Sequence, residues 1–393
     1  SAARLPPYGA FFQPPTTDYR QPMNAPRVLV GLSGGVDSSV TALLLKQAGR
    51  DVGGLFMKNW EEDDATGVCP AEADARDARA IADLLGIPFH GRNFAAEYWD
   101  GVFEHFLAEL KAGRTPNPDI LCNREVKFKT FVEHAEDLGY ERIATGHYAQ
   151  LRRHDGLVEL LRGADANKDQ SYFLHALDQH QLGVAEFPIG HLIKPEVRRL
   201  ATAAGLPTQA KRDSTGICFI GERNFDPFIA RYLAPSPGPM RTPEGELIGE
   251  HRGLHFYTVG QRGGLNIGGR KGGSGEPWFV AAKSVSDNTL IVVQGDHPAL
   301  YGQRLRTEAV NWIAGTAPAA EFRCTAKIRY RQQDQDCLVR LLDPGSGAVE
   351  VQFEQPQRAI TAGQSVVFYQ SEVCLGGGVI TLSDAYLGGL QPF

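Results

Sequence analysis

The chain of 393 residues has no apolar run approaching the ~20 residues that a membrane-spanning helix requires. Its opening residues also lack the charged-then-apolar pattern of a secretory signal, so a reducing, cytoplasmic setting is expected. Six cysteines are too few to make a disulfide scaffold at this length, and no close Cys-x-x-Cys pair points to an iron–sulfur centre. Positive charge is not in excess. The 40 Lys and Arg are outnumbered by 46 Asp and Glu, for a net charge of −6. That balance argues against a broadly basic nucleic-acid binder and leaves a local basic face open. No repeat and no low-complexity tract is found. Hydrophobic content of 42% and charged content of 22% are those of an ordinary globular protein, with length for two or three domains.

The most informative stretch runs from Val28 to Ser39. Val28 to Val30 reads as a buried strand, Gly31-Leu32-Ser33-Gly34-Gly35 as a turn, and Ser38 to Ala48 as a helix stopped by Gly49. Strand, glycine turn and helix together make an anion cradle, because glycine lets backbone N–H groups crowd a phosphate at the positive end of a helix. Two common phosphate loops are excluded. The Walker pattern needs a Gly-Lys-Ser/Thr ending, and no Lys is present. The dinucleotide fingerprint fails at Gly31-Leu32-Ser33. Ser33-Gly34-Gly35-Val36-Asp37-Ser38 instead resembles the loop of ATP-pyrophosphatase enzymes, which cleave ATP to AMP and pyrophosphate.

Residues 1–26 read as an irregular Pro-rich tail, in which Met23 is a candidate natural start. From Arg27 strands and helices alternate: a strand to Met57, a helix from Ala71 to Leu85, a strand opening at Ile87, and a helix from Ala95 to Lys111 carrying Trp99, Val102, Phe103, Phe106 and Leu110 on one face. This rhythm predicts a doubly wound, mostly parallel α/β sheet. Met57, at a strand end, is placed to cover an adenine and is equally suited to the core. Pro116 and Pro118 hold a loop ahead of a helix that starts near Cys122. A thiolate is stabilised at such a start, and a half-buried cysteine fits there as well. A strand ends in Thr145-Gly146-His147-Tyr148, residues 151–162 form a hairpin, and Asn167 to Gln170 make a polar loop. A helix starts at Lys194-Pro195. Cys218 lies near Lys211, Arg212 and Arg223, cations that lower a thiol pKa, although a buried inert cysteine is the competing picture.

Beyond Gly221 the texture changes. A Pro-rich connector and a glycine-rich stretch precede short apolar runs from Trp278 onward, the spacing of a small antiparallel barrel. The expected units are a catalytic domain over 27–221, a linker domain over 222–280 and a C-terminal β-barrel over 281–393. If Cys324 to Arg331 is a strand, Lys327, Arg329 and Arg331 share one face and form a basic stripe. Taken on residues alone, a small-molecule adenylating ligase and a non-catalytic RNA-binding protein both stay open.

SGGVDSS at 33–39, TPNPDILCN at 115–123, ATGHY at 144–148, NKDQSYFL at 167–174, DSTGICFIG at 213–221 and IRYRQ at 328–332 together resemble the bacterial tRNA-specific 2-thiouridylases. The resemblance runs from about Arg27 to the C-terminus. It implies that ATP adenylates the C2 oxygen of the wobble uridine in tRNA, and that a persulfide sulfur then replaces that oxygen with release of AMP. By the same resemblance Gly31, Leu32, Ser33, Gly34, Gly35, Val36, Asp37 and Ser38 hold ATP, with Met57 and Gly146 around the nucleotide and Asp37 on a Mg²⁺ ion. Cys218 carries the persulfide, Cys122 is the second catalytic thiol, and the two are able to join as a transient disulfide. Asp119 assists with protons, and Asn117, Pro118 and Asp119 surround the target base. His147, Lys168, Asp169, Gln170, Arg329, Tyr330 and Gln364 touch tRNA. Sulfur arrives from a cysteine desulfurase through a relay protein. The other four cysteines, Cys69, Cys324, Cys337 and Cys374, read as structural.

Overall fold

The computed structural model describes residues 25–60, 70–212, 225–268, 275–343 and 345–385. Its first sheet has five parallel strands in the order β3-β2-β1-β4-β7. These are β1 (Val28–Gly31), β2 (Val52–Lys58), β3 (Phe89–Asn93), β4 (Arg142–Ala144) and, after a hairpin of β5 (Ala149–His154) and β6 (Leu157–Arg162), β7 (Ala185–Glu186). Both faces of β1 are covered. Val28 and Val30 pack with Val40, Leu43 and Ile81 on one side, while Leu29 packs with Leu55, Phe131 and Ile143 on the other. A central strand buried on both faces explains the continuous apolar run. Because β2 lies on one side of β1 and β4 on the other, the order reverses at β1, and its carboxyl end opens into the crevice where such sheets bind ligands.

Local chemistry sets the element ends. Helix α1 (Val36–Gln47) begins two residues earlier than expected, with Gly35 as N-cap, and Gly49 follows it at φ +76°. The helix over 95–111 contains a π-helical stretch, Trp99–Phe103, between α-helical ends. Asp155 and Gly156 turn the hairpin with φ of +50° and +79°, the positive values that a tight two-residue connection requires. That hairpin does not belong to the parallel sheet. Leu160 and Leu161 pair with Cys374 and Val373, so a segment of the catalytic half of the chain extends the C-terminal sheet.

Four strands, Gly238–Arg241, Leu247–His251, Trp278–Ser284 and Thr289–Gln294, form the central sheet. The boundary expected at 280/281 therefore falls inside a strand, and the central pairing reaches Gln294. Six antiparallel strands from Tyr301 to Ser383 then close into a barrel, because the strand Tyr301–Ala309 pairs with the last strand, Val373–Ser383. Leu305, Val339, Val351, Phe353, Val366, Phe368 and Ile380 fill it.

The expected basic stripe does not form. Its strand, Glu321–Lys327, stops at Lys327, and the chain turns through Arg329 and Arg331. Without a strand the two-residue alternation that would align the three cations is lost. Lys327 instead lies near Asp334, at 3.7 Å, and over the Tyr369 ring. No helix among the described residues is long and apolar enough to cross a membrane.

Candidate active site

The glycine loop is held from three sides. Gly34 has φ +72°, and a Cβ there would stand 2.4 Å from the Asp74 carbonyl oxygen of helix α2 (Pro70–Leu85). A Cβ on Gly146, just past β4, would stand 2.8 Å from the Ser38 amide nitrogen and 2.9 Å from the Asp37 carbonyl carbon. The third contact is Met57, whose Cε would lie 3.4 Å from a Cβ on Gly31. Gly146 and Met57 thus close on Gly31 to Ser38. No side chain caps the α1 N-terminus, so the positive end of the helix faces the crevice. Ser33 and Ser38 hydroxyls meet at 3.1 Å, and Ser38 and Ser39 both donate to the Gly35 carbonyl, which fixes the loop from below.

Asp37 occupies the first turn of α1, where a carboxylate is favoured by the helix dipole. Lys194 donates to both of its oxygens, at 2.9 and 2.8 Å, and the Tyr148 hydroxyl donates to Oδ1 at 2.8 Å. Sequence reasoning missed both partners. The available signal was that Lys194 opens a helix, although nothing local told where its amine would reach. The arrangement bears on the expected Mg²⁺. No cluster of three or more acidic, His or Cys groups suited to a metal exists among the described residues, and the two Asp37 oxygens already face a cation. In this arrangement Lys194 occupies both Asp37 oxygens, and a Mg²⁺ ion held between Asp37 and the phosphates of ATP would have to share or displace it.

The sulfur half is partly described. Asn117 accepts the Asp119 amide on Oδ1 at 3.1 Å and caps a helix that begins at Pro118. Cys122 is therefore one turn inside the helix and wholly buried, not at its N-terminus. The dipole effect, strongest in the first turn, reaches Asp119 and fades before Cys122. Cys122 opens a nine-residue π-helical stretch, Cys122–Thr130, an arrangement frequent at functional sites. The same helix continues to Phe131, whose ring lies 3.3 Å from the Cβ position of Gly31. One helix thus joins the Asn117–Pro118 loop, expected around the target base, to Cys122 and the glycine loop. Cys218 lies outside the described residues. Lys211, expected to lower its pKa, is paired with Asp74 and Asp77, which take up its charge.

The expected tRNA residues divide into two groups. Lys168 is half-exposed, and Gln170 is locked to Tyr148 by two hydrogen bonds. Tyr330 packs on Phe173 with ring centroids 4.5 Å apart, and the Phe173 carbonyl accepts from Asn123, the neighbour of Cys122. Gln364 donates to the Thr115 carbonyl at 2.7 Å, beside Asn117, and Arg329 donates to the Ala359 carbonyl at 2.7 Å from an exposed turn. The other two point inward. The Asp169 carboxylate accepts the Gly163 and Ser171 amides, and so braces its loop. His147 is buried between Phe128 and Phe187, bonded to Thr145 at 2.7 Å, with burial holding its pKa well below the usual value. Neither side chain is presented to RNA in this arrangement, because each satisfies a buried partner.

Sequence comparison is consistent with this division of the molecule. Residues 26–222 match a family model described as a tRNA methyl transferase HUP domain, residues 226–294 a PRC-barrel domain, and residues 302–380 an aminomethyltransferase β-barrel domain. The tRNA-specific 2-thiouridylase MnmA of Chromohalobacter salexigens is 60% identical over 90% of this chain and 92% of its own length. The proteins of that name from Methylococcus capsulatus and Proteus mirabilis are each 58% identical, over 91% and 90% of the chain and 97% and 96% of their own lengths. The chain belongs to the tRNA-specific 2-thiouridylase family. The helix that follows Asn117 and bears Cys122 reaches the Gly31–Ser38 loop through Phe131.

Proposed function

We propose that the protein is an ATP-dependent tRNA 2-thiouridylase acting on the wobble uridine. The observation that carries this reading is the single helix that starts at the Asn117 cap, bears Cys122 and packs Phe131 against Gly31. It ties a thiol to a phosphate loop, a link that neither a small-molecule ligase nor a passive RNA binder needs.

The uridine C2 oxygen attacks the α-phosphorus of ATP, and pyrophosphate leaves from the glycine loop. The oxygen, a poor leaving group as a carbonyl, is now part of AMP. A persulfide on Cys218, loaded by a sulfur-relay protein fed by a cysteine desulfurase, supplies sulfur to C2, and AMP departs with the former oxygen. Two routes balance. Either the terminal persulfide sulfur attacks C2 and the Cys122 thiol then displaces it from Cys218, or Cys122 first frees sulfide, which attacks. Both leave 2-thiouridine and a Cys122–Cys218 disulfide that a thiol reductant must reopen. Asp119, half-exposed in the first turn above Cys122, takes the proton that the Cys122 thiol gives up as it attacks. Holding the base, the α-phosphate and the thiol together makes the reaction effectively unimolecular. Because Cys122 is wholly buried, its attack requires the π-helical stretch to rearrange when RNA binds.

Incubation of the protein with tRNA, ATP and a persulfide donor, followed by nucleoside analysis, tests this. 2-Thiouridine is expected only when all three are present, and its absence would favour a small-molecule adenylating activity.

A further inference from the structure

A cavity of about 410 Å³ lies between the loop ahead of Asn117 and the central domain, apart from the glycine loop and Cys122. Its apolar walls are Phe106, Leu110, Pro116, Pro118, Phe225 and Phe256. Phe225 is exposed at 36% and meets Phe106 edge-on, with centroids 6.4 Å apart. The polar lining is Thr115, Thr258, Gln261, His255 and Asp226; the Asp226 carboxylate is paired with Arg252, and His255 Nε2 is buried with no hydrogen-bond partner.

Lys283 stands at the edge of this cavity. It projects from the central sheet, and its one hydrogen bond is to the Thr115 hydroxyl at 3.4 Å. Among the described residues no carboxylate pairs with it, Asp226 being engaged by Arg252, and burial alone pushes its pKa down to about 8. A desolvated ammonium with unused donors is costly unless an anion completes it. Thr115 is also where the three parts of the chain meet. Its amide donates to Ala362, its carbonyl accepts from Gln364, and its hydroxyl accepts from Lys283.

Resting on the tRNA reading above, we propose that this cavity binds a nucleotide flanking the target uridine, with its base between Phe106, Phe225 and Pro118 and its phosphate on Lys283. An aromatic slot with polar edges suits an unstacked base, and an ammonium without a counter-charge suits its phosphate. Pro118 belongs also to the loop expected around the target base, so the cavity adjoins that base, and its occupant is the neighbour because neither Cys122, Asp119 nor any glycine-loop residue lines the cavity.

The test uses the full-length protein and its tRNA. Lys283→Gln is expected to raise the KM for tRNA about tenfold with kcat unchanged, and to lower the salt slope of tRNA binding by about one. Lys283→Arg should restore both, and neither variant should melt below the wild type. Phe225→Ala should weaken tRNA binding alone. In that variant, a tRNA made abasic next to the target uridine should lose no further affinity, whereas the wild type should lose affinity for it. Wild-type KM and salt slope in Lys283→Gln, or independent losses from Phe225→Ala and the abasic site, would overturn the pocket while leaving thiolation intact. A wild-type protein that does not bind tRNA would overturn the reading beneath it as well.

Discussion

Lys194 and Asp37, 157 residues apart, form a two-pronged ion pair at the mouth of the glycine loop. The side chain of Lys194 is 10% exposed and that of Asp37 30%, so solvent screens the pair only in part. Tyr148 adds a third hydrogen bond to the same carboxylate, and the helix that Lys194 opens is anchored by its amide on Asp165. The start of α1 is thereby tied to a helix far along the chain.

Lys194→Ala leaves Asp37 facing the phosphate site without its cation. Pyrophosphate release in the presence of tRNA should fall about a hundredfold, in the range found when one partner of a desolvated pair is removed. Lys194→Arg should recover only part, since the larger planar guanidinium must enter a space that holds a compact, largely buried ammonium. Undiminished pyrophosphate release in Lys194→Ala would remove the pair from the catalytic apparatus.

The close approach of Gly146 to Ser38 predicts a selective effect on ATP. Gly146→Ala must displace the first turn of α1, and overpacking of this kind costs about 1–3 kcal/mol. The KM for ATP should rise while tRNA affinity holds. Gly49→Ala is the control. Its φ is +76° but its Cβ position is open, so it should cost about 1 kcal/mol of stability and leave the KM for ATP unchanged.

How much of this was legible in the sequence follows from the range of the interactions. The glycine loop is a local phrase, in which strand, turn and helix cap lie within a dozen residues, and the structure keeps it almost unchanged. The parallel sheet and the barrel followed from periodicity. What a local reading could not reach depended on distant partners. The cation on Asp37 is Lys194, 157 residues away. The hairpin expected at 151–162 forms, but its pairing with Val373 and Cys374 is invisible locally. Cys122 was placed at a helix start because the Asn117 cap, four residues after an unremarkable Gly113, moves that start to Pro118. The basic stripe assumed a strand that ends at Lys327.

Replacing either sulfur cysteine should separate binding from chemistry. Cys122→Ala and Cys218→Ala are each expected to abolish thiolation with tRNA affinity nearly unchanged. One turnover without reductant should leave a Cys122–Cys218 disulfide detectable by peptide mapping. Cys324 and Cys337, facing each other across two strands with sulfurs 3.7 Å apart, are the competing pair, so the mapping is cleanest in Cys324→Ser. Normal thiolation by either alanine variant would contradict the two-thiol reaction.

Lys283 predicts a pH signature in stability. Its native pKa of about 8 lies below the ordinary value near 10.4, so between those limits the unfolded chain binds more protons than the native one. Stability contributed by this site should therefore rise with pH across that window, and the penalty should be full below pH 8. Lys283→Gln should be more stable than the wild type at pH 7 by up to about 3 kcal/mol, with the gain shrinking toward pH 10. His255, the titratable neighbour, is itself held low chiefly by burial, so it stays neutral in this range. Denaturation at pH 7 and pH 9.5 checks the sign, and a gain that grew with pH would contradict it.

The account centres on one conversion, that of a tRNA wobble uridine to 2-thiouridine driven by ATP cleavage at the α-phosphate. The most direct measurement counts AMP, pyrophosphate and 2-thiouridine in one reaction of protein, tRNA, ATP and persulfide donor. Equal amounts of all three are predicted, with none formed by Cys218→Ala except AMP and pyrophosphate from abortive adenylation. AMP and pyrophosphate appearing without any 2-thiouridine in the wild-type reaction would contradict the account.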